Sequence, residues 1–394
     1  MNIAITPSLL SGCVDAIASK SCAHRALICA AFARGITKLN IPTVNADIEA
    51  TADCLNALGA QIRRKDWGYE ITPVTQVPEK ALLRVRESGS TLRFLLPVCG
   101  VLGVETTFLM EGRLPQRPLS PLWEEMKRMG CQLCLEGNQL HLKGRLQEGT
   151  YRIAGNVSSQ FVSGLLFAGA IGGGIRIEVS GKLESRPYVD MTLDILKRFG
   201  VEARDLAPKG SLTSPGELAV EGDWSNAAFF LTAKALGNPV EVGNLNFQST
   251  QGDKAVVDCL KLLQNHCTIS AADIPDLIPI LSIMAACNQG AVFTDIGRLR
   301  LKESDRVAAI QNMIAALGGR CETDENTMTV YAAGLTGGTV DSFGDHRIAM
   351  AAAIAATKCR ETVTIQNAQA VNKSYPGFWE DYRELGGKYE QYLR

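Results

Sequence analysis

The sequence predicts an α/β protein of two similar domains, each built from three βαβαββ units around buried parallel helices. Three observations lead there. Six stretches are apolar nearly all round at helical length: ALICAAFA, LRFLLPVCGVL, FVSGLLFAGAI, AAFFLTAKAL, LIPILSIMAA and IAMAAAIAA. A helix apolar on every face has to be buried. Amphipathic segments alternate with these, and most of the apolar stretches recur about every 65–70 residues, with one interval of roughly 50, as repeats do. Finally, 394 residues are long for one domain and suit two of about 200 each.

The elements follow in chain order. Ala23-His24-Arg25, after Lys20-Ser21, opens the first buried helix, and the amphipathic IEATADCLNALGA then ends at Gly59 before the strand-like AQIRRK. Ser88-Gly89-Ser90-Thr91 opens the second, with PLWEEMKRMG closing at Gly130 before CQLCLEG. Ser158-Ser159-Gln160 opens the third, and VDMTLDILKRFG closes at Gly200 before VEARDL. Glycine at these ends suits a left-handed helix cap. The turn-rich LAPKGSLTSPGELAVEGD, residues 206–223, is the best break in composition. Asp223-Trp224-Ser225-Asn226 opens the fourth buried helix, followed by VVDCLKLLQN, and Pro275-Asp276 opens the fifth. In the amphipathic RVAAIQNMIAALGG that follows, Val307, Ile310, Met313, Ile314 and Leu317 share one face. Asp345-His346-Arg347 opens the sixth, with WEDYRELGG after it.

Each buried helix thus has its polar residues at the N-terminal tip. Helix N-termini carry unpaired N–H groups and partial positive charge, so a gathered set of them suits anions. Net charge of −1 gives no reason to expect nucleic acid or an anionic membrane as partner, so any cationic site is local. The longest apolar run, around Leu277 to Cys287, is far short of the ~20 residues that cross a bilayer. The first twenty residues lack the pattern of a signal peptide, and twelve cysteines then read as reduced thiols in a cytoplasmic protein. Cys131 and Cys134 form a C-x-x-C in a strand-like context without a second pair, and with four histidines no metal site and no cofactor is expected.

The densest chemistry is Arg298-Leu299-Arg300-Leu301-Lys302-Glu303-Ser304-Asp305-Arg306, four cations and carboxylates feeding a helix start. Lys302, Glu303 and Arg306 together could set an acid, a base and an anion clamp on one tip. Arg113 to Pro118 is a proline-stiffened basic loop, and Asn372-Lys373-Ser374-Tyr375-Pro376 sets a lysine in a turn.

In order along the chain, SSQF, SRPYVDMTL, QGD, IPD, LKESDR, DHRIAMA and NKSYPGF resemble the signature segments of the 5-enolpyruvylshikimate-3-phosphate (EPSP) synthase family. The resemblance spans nearly the whole chain. It implies the enolpyruvyl transferase fold, an inside-out α/β barrel, with 1–18 plus 222–394 as one domain, 19–221 as the other, and the active site in the cleft between. It implies transfer of the enolpyruvyl group of phosphoenolpyruvate to the 5-hydroxyl of shikimate 3-phosphate, with release of phosphate through a tetrahedral intermediate. The implied partners are those two small anions, without nucleic acid or membrane, and the implied state is a monomer.

Carried over by motif, the catalytic residues are Lys20, Asp276, Glu303 and Lys373. Asp276 is the implied base for the 5-hydroxyl, and Glu303 the implied proton carrier at the methylene carbon. Shikimate 3-phosphate should meet Lys20, Ser21, Arg25, Ser158, Ser159, Ser185, Asp276 and Lys302. Phosphoenolpyruvate should meet Lys20, Gly89, Arg117, Gln160, Arg306, His346, Arg347 and Lys373, with Tyr188 a further contact. The chain departs from the family pattern at Arg298, where Asn is usual, at Glu87-Ser88-Gly89-Ser90 in place of Asn-Ala-Gly-Thr, and at Phe94 in place of a frequent Pro. The related UDP-N-acetylglucosamine enolpyruvyl transferase would carry a reactive cysteine near Arg117 and Lys-Asn at the first opening. This chain has no Cys between Cys99 and Cys131, and reads Lys20-Ser21. A non-catalytic anion-binding scaffold would need the cations but not Asp276 and Glu303 beside them.

Overall fold

Every apolar stretch of the sequence becomes a helix, and every amphipathic one becomes a shorter or more exposed partner. A computed structural model describes residues 1–392. Its helices run α1 Lys20–Phe32, α2 Ala46–Ala57, α3 Gly89–Leu102, α4 Leu122–Arg128, α5 Ser159–Gly172, α6 Arg186–Arg198, α7 Trp224–Ala235, α8 Val256–Leu262, α9 Ile278–Cys287, α10 Arg306–Ala316, α11 His346–Ala356 and α12 Phe378–Glu384. The odd-numbered helices are those of the apolar stretches. In α9 every residue but Cys287 is buried, and in α11 every residue is.

The chain divides into two units. Ala18–Glu221 forms an inserted unit, and Met1–Ile17 with the segment from Gly222 onward forms a terminal unit. In the inserted unit α1, α3 and α5 supply the core with Leu27, Phe94, Leu95, Leu165 and Phe167. In the terminal unit α7, α9 and α11 do so with Phe229, Ile280, Leu281 and Ile354. Small residues let core helices approach closely. A Cβ on Gly164 of α5 would collide with the Arg93 carbonyl of α3, so only glycine fits there.

The repeat is clearest around α3. Lys80–Arg86 lies parallel to Glu105–Met110, with α3 as the crossover. Gln139–Gly144 then pairs antiparallel with Glu105–Met110, and Cys131–Glu136 closes the edge. The same order recurs as Cys267–Ser270, Ala291–Thr294, Thr327–Val330, Cys321–Thr323 around α9. Cys131 and Cys134, three apart on one strand, have side chains on opposite faces, so the C-x-x-C is no chelate.

Three details differ from six identical βαβαββ units. The fourth repeat has no closing hairpin: the strand after α8, Cys267–Ser270, is already the first strand of the fifth. That omission accounts for the one short interval in the sequence. In the third repeat the four strands separate into two pairs, Gly149–Ala154 with Ile175–Ser180 and Glu202–Arg204 with Ala207–Lys209. Strands also change places where the chain passes between units. Gly12–Asp15 pairs with Val240–Gly243 after α7, while Glu217–Ala219 takes the place before α1 by pairing with Thr37–Asn40. The first strand, Asn2–Thr6, completes the sixth repeat between Val363–Gln366 and Lys388–Tyr392.

Most core-helix tips are capped by their own opening residues. Ser19, Ser88, Ser158, Asp223 and Asp345 each accept a backbone N–H in the first turn of α1, α3, α5, α7 and α11. Each such cap contributes ~1 kcal/mol. For α9 no side-chain cap forms, and Pro279 sits in its first turn.

Candidate active site

Within the terminal unit, one guanidinium gathers the acidic groups. Arg306 opens α10 and is 1% exposed. It donates from Nε to Asp345 Oδ2 at 2.8 Å, from Nη1 to Asp276 Oδ1 at 2.6 Å and from Nη2 to Glu303 Oε2 at 2.6 Å. Burial disfavours its charge, but Asp345, Glu303 and Asp276 outweigh that and hold its pKa well above the ordinary value. Asp276, just ahead of α9, also takes Arg347 Nη2 at 3.2 Å and faces Lys302 Nζ at 3.4 Å. Burial alone would raise the Asp276 pKa, yet Arg347, Lys302 and Arg306 together hold it well below the usual carboxylate range. Lys302 moves the other way. Burial, joined by Arg306 and Arg298, lowers it to about 8 against the pull of Asp276. Arg298, where the family pattern has Asn, therefore adds positive field at Lys302.

The sequence reading left Asp345, Ser304 and Asp253 without a role here. Asp345 caps α11 through Oδ1, taking Arg347 N at 3.0 Å, and accepts Ser304 Oγ at 3.0 Å on Oδ2. The DHR triplet is therefore a cap, an Arg306 acceptor and a cation in one turn. Asp253 is 4% exposed, and burial followed by the nearby Asp276 charge pushes it up to about 6. Its only sequence signal was its place in QGD. His346 is buried beside Asp345, with Nδ1 3.8 Å from Oδ1. Lys373 is half-buried, and its turn is tied to the first turn of α7 by Ser374 Oγ donating to Asn226 Oδ1 at 3.3 Å.

Within the inserted unit, α1 presents Lys20, Ser21 and Arg25 on one tip. Lys20 Nζ pairs with Asp47 Oδ2 at 2.9 Å, a partner from α2 that no motif marked. Arg25 is 2% exposed and donates to neutral acceptors: Thr192 Oγ1 at 2.8 Å, Ser21 O at 2.7 Å and Tyr188 O at 2.8 Å. Its guanidinium also lies 5.0 Å from the Phe94 ring centroid, at the position where the family often has Pro. Burial lowers Arg25 to about 10. Tyr188 thus serves Arg25 through its carbonyl, and Ser185, two per cent exposed with φ of 54°, begins that same α6 tip.

A second tip forms at α3. A Cβ on Gly89 would lie 2.9 Å from Arg117 Nη1 and 3.2 Å from Arg93 Nη1, so glycine lets two guanidinium groups close over this helix start. Arg93 also donates to Gln160 Oε1 at 2.8 Å and Pro118 O at 3.0 Å, while Gln160 Nε2 donates to Ser90 Oγ at 2.9 Å. Gln160 is thereby oriented by both ends of its amide. Arg93 is another residue that sequence reasoning did not assign. Glu87 lies against Gly112, in the segment leading to Arg117. Ser158 caps α5, its Oγ accepting Gln160 N at 3.3 Å, and Ser159 is buried beside it.

The structure therefore brings Asp276, Lys302, Glu303, Arg306, His346 and Arg347 into one neighbourhood of the terminal unit. Lys20, Ser21 and Arg25 share one tip of the inserted unit, and Gly89, Arg117 and Gln160 share another. Among the described residues no group of three His, Cys, Asp or Glu is placed to hold a metal.

Comparison with known proteins bears on what such tips do. The family described as EPSP synthase (3-phosphoshikimate 1-carboxyvinyltransferase) matches residues 5–273 and 264–382. A 3-phosphoshikimate 1-carboxyvinyltransferase of Clostridium kluyveri is 38% identical over 99% of this chain and 98% of its own. One of Clostridium novyi is 37% identical over 98% of each. Among solved structures, an EPSP synthase from Acinetobacter baumannii shares the fold with a TM-score of 0.80 at 22% identity, over 99% of this chain and 100% of the other. The enolpyruvyl transferase NikO from Streptomyces tendae does so at 0.76 and 17% identity, over 99% and 98%.

Proposed function

This chain belongs to the EPSP synthase (3-phosphoshikimate 1-carboxyvinyltransferase) family, and from that premise we propose how its own residues carry the family reaction. The enzyme transfers the enolpyruvyl group of phosphoenolpyruvate to the 5-hydroxyl of shikimate 3-phosphate and releases phosphate. The UDP-N-acetylglucosamine alternative is not favoured, since relatives alike over full length bear the shikimate name.

In the addition step, Asp276 takes the proton of the 5-hydroxyl as its oxygen bonds to C2 of phosphoenolpyruvate. Glu303 delivers a proton to the methylene carbon, which becomes a methyl group. In the elimination step, Glu303 takes a proton back from that methyl group while the C2–O bond to phosphate breaks, and the proton that Asp276 took from the hydroxyl passes to the departing phosphate. Lys20, Arg347 and Lys373 stabilise the leaving phosphate. Arg25, Ser21, Ser158, Ser159, Ser185 and Lys302 hold shikimate 3-phosphate. Gly89, Arg117, Gln160, Arg306 and His346 hold phosphoenolpyruvate. One reaction draws on residues of both units. We place it in the cytoplasm, where twelve cysteines outside any disulfide stay reduced, and assign it to a monomer because all these residues lie on one chain.

The observation that carries this assignment is Arg306, which holds Asp276 and Glu303 at 2.6 Å each. Two carboxylates poised on one cation are what acid–base addition needs and simple anion binding does not. As the structure stands, Asp276 is a weak base, because three cations stabilise its charge. Anionic substrate arriving at those cations competes for them, and Asp276 becomes more basic as the site fills. The test is phosphate release from phosphoenolpyruvate with and without shikimate 3-phosphate, for wild type and Glu303→Ala. Release that needs both substrates and falls by about 10²–10⁴-fold in the variant supports the assignment. Release independent of shikimate 3-phosphate, or an unimpaired variant, overturns it.

A further inference from the structure

His24 plays no part in the steps above, yet it is 0% exposed on the tip of α1 between two cations of the site. Its Nδ1 lies 2.6 Å from Thr51 Oγ1 of α2. Thr51 Oγ1 lies 2.7 Å from Thr91 Oγ1 of α3, and Thr91 Oγ1 donates to Ser88 Oγ at 2.7 Å. Thr51, Thr91 and Ser88 are all 0% exposed as well. Four side chains thus link the tip that carries Lys20, Ser21 and Arg25 to the cap of the tip that carries Gly89.

The direction of this chain can be worked out. Ser88 Oγ is the α3 cap and already accepts Thr91 N at 3.3 Å, and the Thr91 hydroxyl hydrogen also points to it. The Thr91 oxygen is then free to accept from Thr51, whose alternative acceptor, the Asp47 carbonyl, is farther off at 3.4 Å. With the Thr51 hydrogen committed, the contact to His24 requires Nδ1 to be the donor. The reverse direction would make His24 an Nε2–H tautomer. That Nε2 is buried and has no hydrogen-bond partner among the described residues, so the reverse would orphan a donor rather than a lone pair. Orphaned buried N–H groups are the rarer and costlier case. Burial also keeps the ring neutral, lowering its pKa to about 3, with Lys20 and Arg25 adding to the effect against Asp47.

We propose that His24 is a positioning residue: as the Nδ1–H tautomer it heads a one-way relay through Thr51 and Thr91 to Ser88, and so sets the α3 tip against the α1 tip. This rests on the reading above, in which α1 receives shikimate 3-phosphate and α3 phosphoenolpyruvate. The relay makes the alignment of the two substrates depend on a residue that touches neither.

Two measurements on the full-length protein test it. With four histidines in the chain, ¹⁵N-detected NMR of the imidazoles, assigned through His24→Asn, should show Nδ1 protonated and Nε2 bare for His24 from pH 5 to 8. An Nε2–H signal, or a ring that protonates in that range, overturns the relay whatever the enzyme does. Kinetically, Thr91→Val should raise KM for phosphoenolpyruvate roughly three- to tenfold, the scale of one hydrogen bond, with a smaller change for shikimate 3-phosphate. Thr91→Ser, which keeps the hydroxyl, should restore it. A Thr91→Val enzyme with a lower Tm and both KM values unchanged would make the chain structural only and overturn the proposal. An inactive wild type would instead sink the functional reading, while the tautomer result would stand.

Discussion

Asp253→Asn is expected to stabilise the protein, and to do so more at alkaline pH. Burial and the neighbouring Asp276 charge push the Asp253 carboxyl from 3.8 to about 6, and Arg347 and Ser225 only partly oppose this. The folded state therefore holds the proton more tightly than the unfolded one. Stability from this group is complete below about pH 3.8 and is lost as the pH rises through about 6. The gap between those values corresponds to about 3 kcal/mol lost near pH 8, and to about half of that near pH 5. An amide of the same shape has no charge to desolvate and recovers that loss. For a unit near 200 residues, about 3 kcal/mol raises Tm by roughly 6–12 °C near pH 8, with about half the gain near pH 5. Thermal unfolding of wild type and variant at the two pH values measures it. Equal shifts at both, or a lower Tm near pH 8, would refute the argument that a strained carboxylate is kept there.

The remaining predictions follow from single contacts. Gly89→Ala places a methyl carbon 2.9 Å from Arg117 Nη1, so the guanidinium must shift, and KM for phosphoenolpyruvate should rise about tenfold in steady-state assays with Tm little changed. Lys302 should lose its proton as the pH rises through about 8, so kcat/KM for shikimate 3-phosphate should fall above that pH. In Lys302→Arg the fall should move to higher pH, because a guanidinium stays charged; a pH–rate profile of each checks this.

Much of the fold was legible because it depends on patterns one segment long. An all-round apolar stretch such as LIPILSIMAA has one solution, a buried helix, and α9 is that helix. What was not legible depends on pairing between distant segments. Nothing in Gly12–Asp15 says that its neighbour is Val240–Gly243, because parallel strands of similar composition are interchangeable until the chain's crossings are fixed. The missing fourth hairpin was visible only as a short interval. At the candidate site, basic and acidic residues within motifs were legible, as in LKESDR. Their partners from elsewhere were not: Asp47 reaches Lys20 from another helix, and Arg93 reaches Gln160 across 67 positions. That Ser158 and Asp345 also cap α5 and α11 was not separable from a site role in the sequence, because the same residue types at a helix start serve both.

Two of the buried arginines of the site, Arg25 and Arg306, differ in the way that matters most for anion binding. Arg306 faces Asp345, Glu303 and Asp276, which stabilise its charge, and its own charge in turn holds them in place. Removing it leaves three carboxylates crowded with fewer cations, and breaking such a buried pair costs about 3–5 kcal/mol. Arg25 has the opposite surroundings. Its bonds go to a hydroxyl and two carbonyls, and burial makes its charge costly, so its positive field is left for a substrate anion. Arg306→Met should therefore lower Tm sharply and abolish phosphate release. Arg25→Met, of similar volume and with the cost of its desolvated charge removed, should keep Tm within a few degrees of wild type while KM for shikimate 3-phosphate rises by about two orders of magnitude. Thermal melts and substrate titrations on the two variants separate the cases. A collapse of Tm in Arg25→Met, with KM for shikimate 3-phosphate intact in the folded fraction, would show that this charge serves the fold and not the substrate.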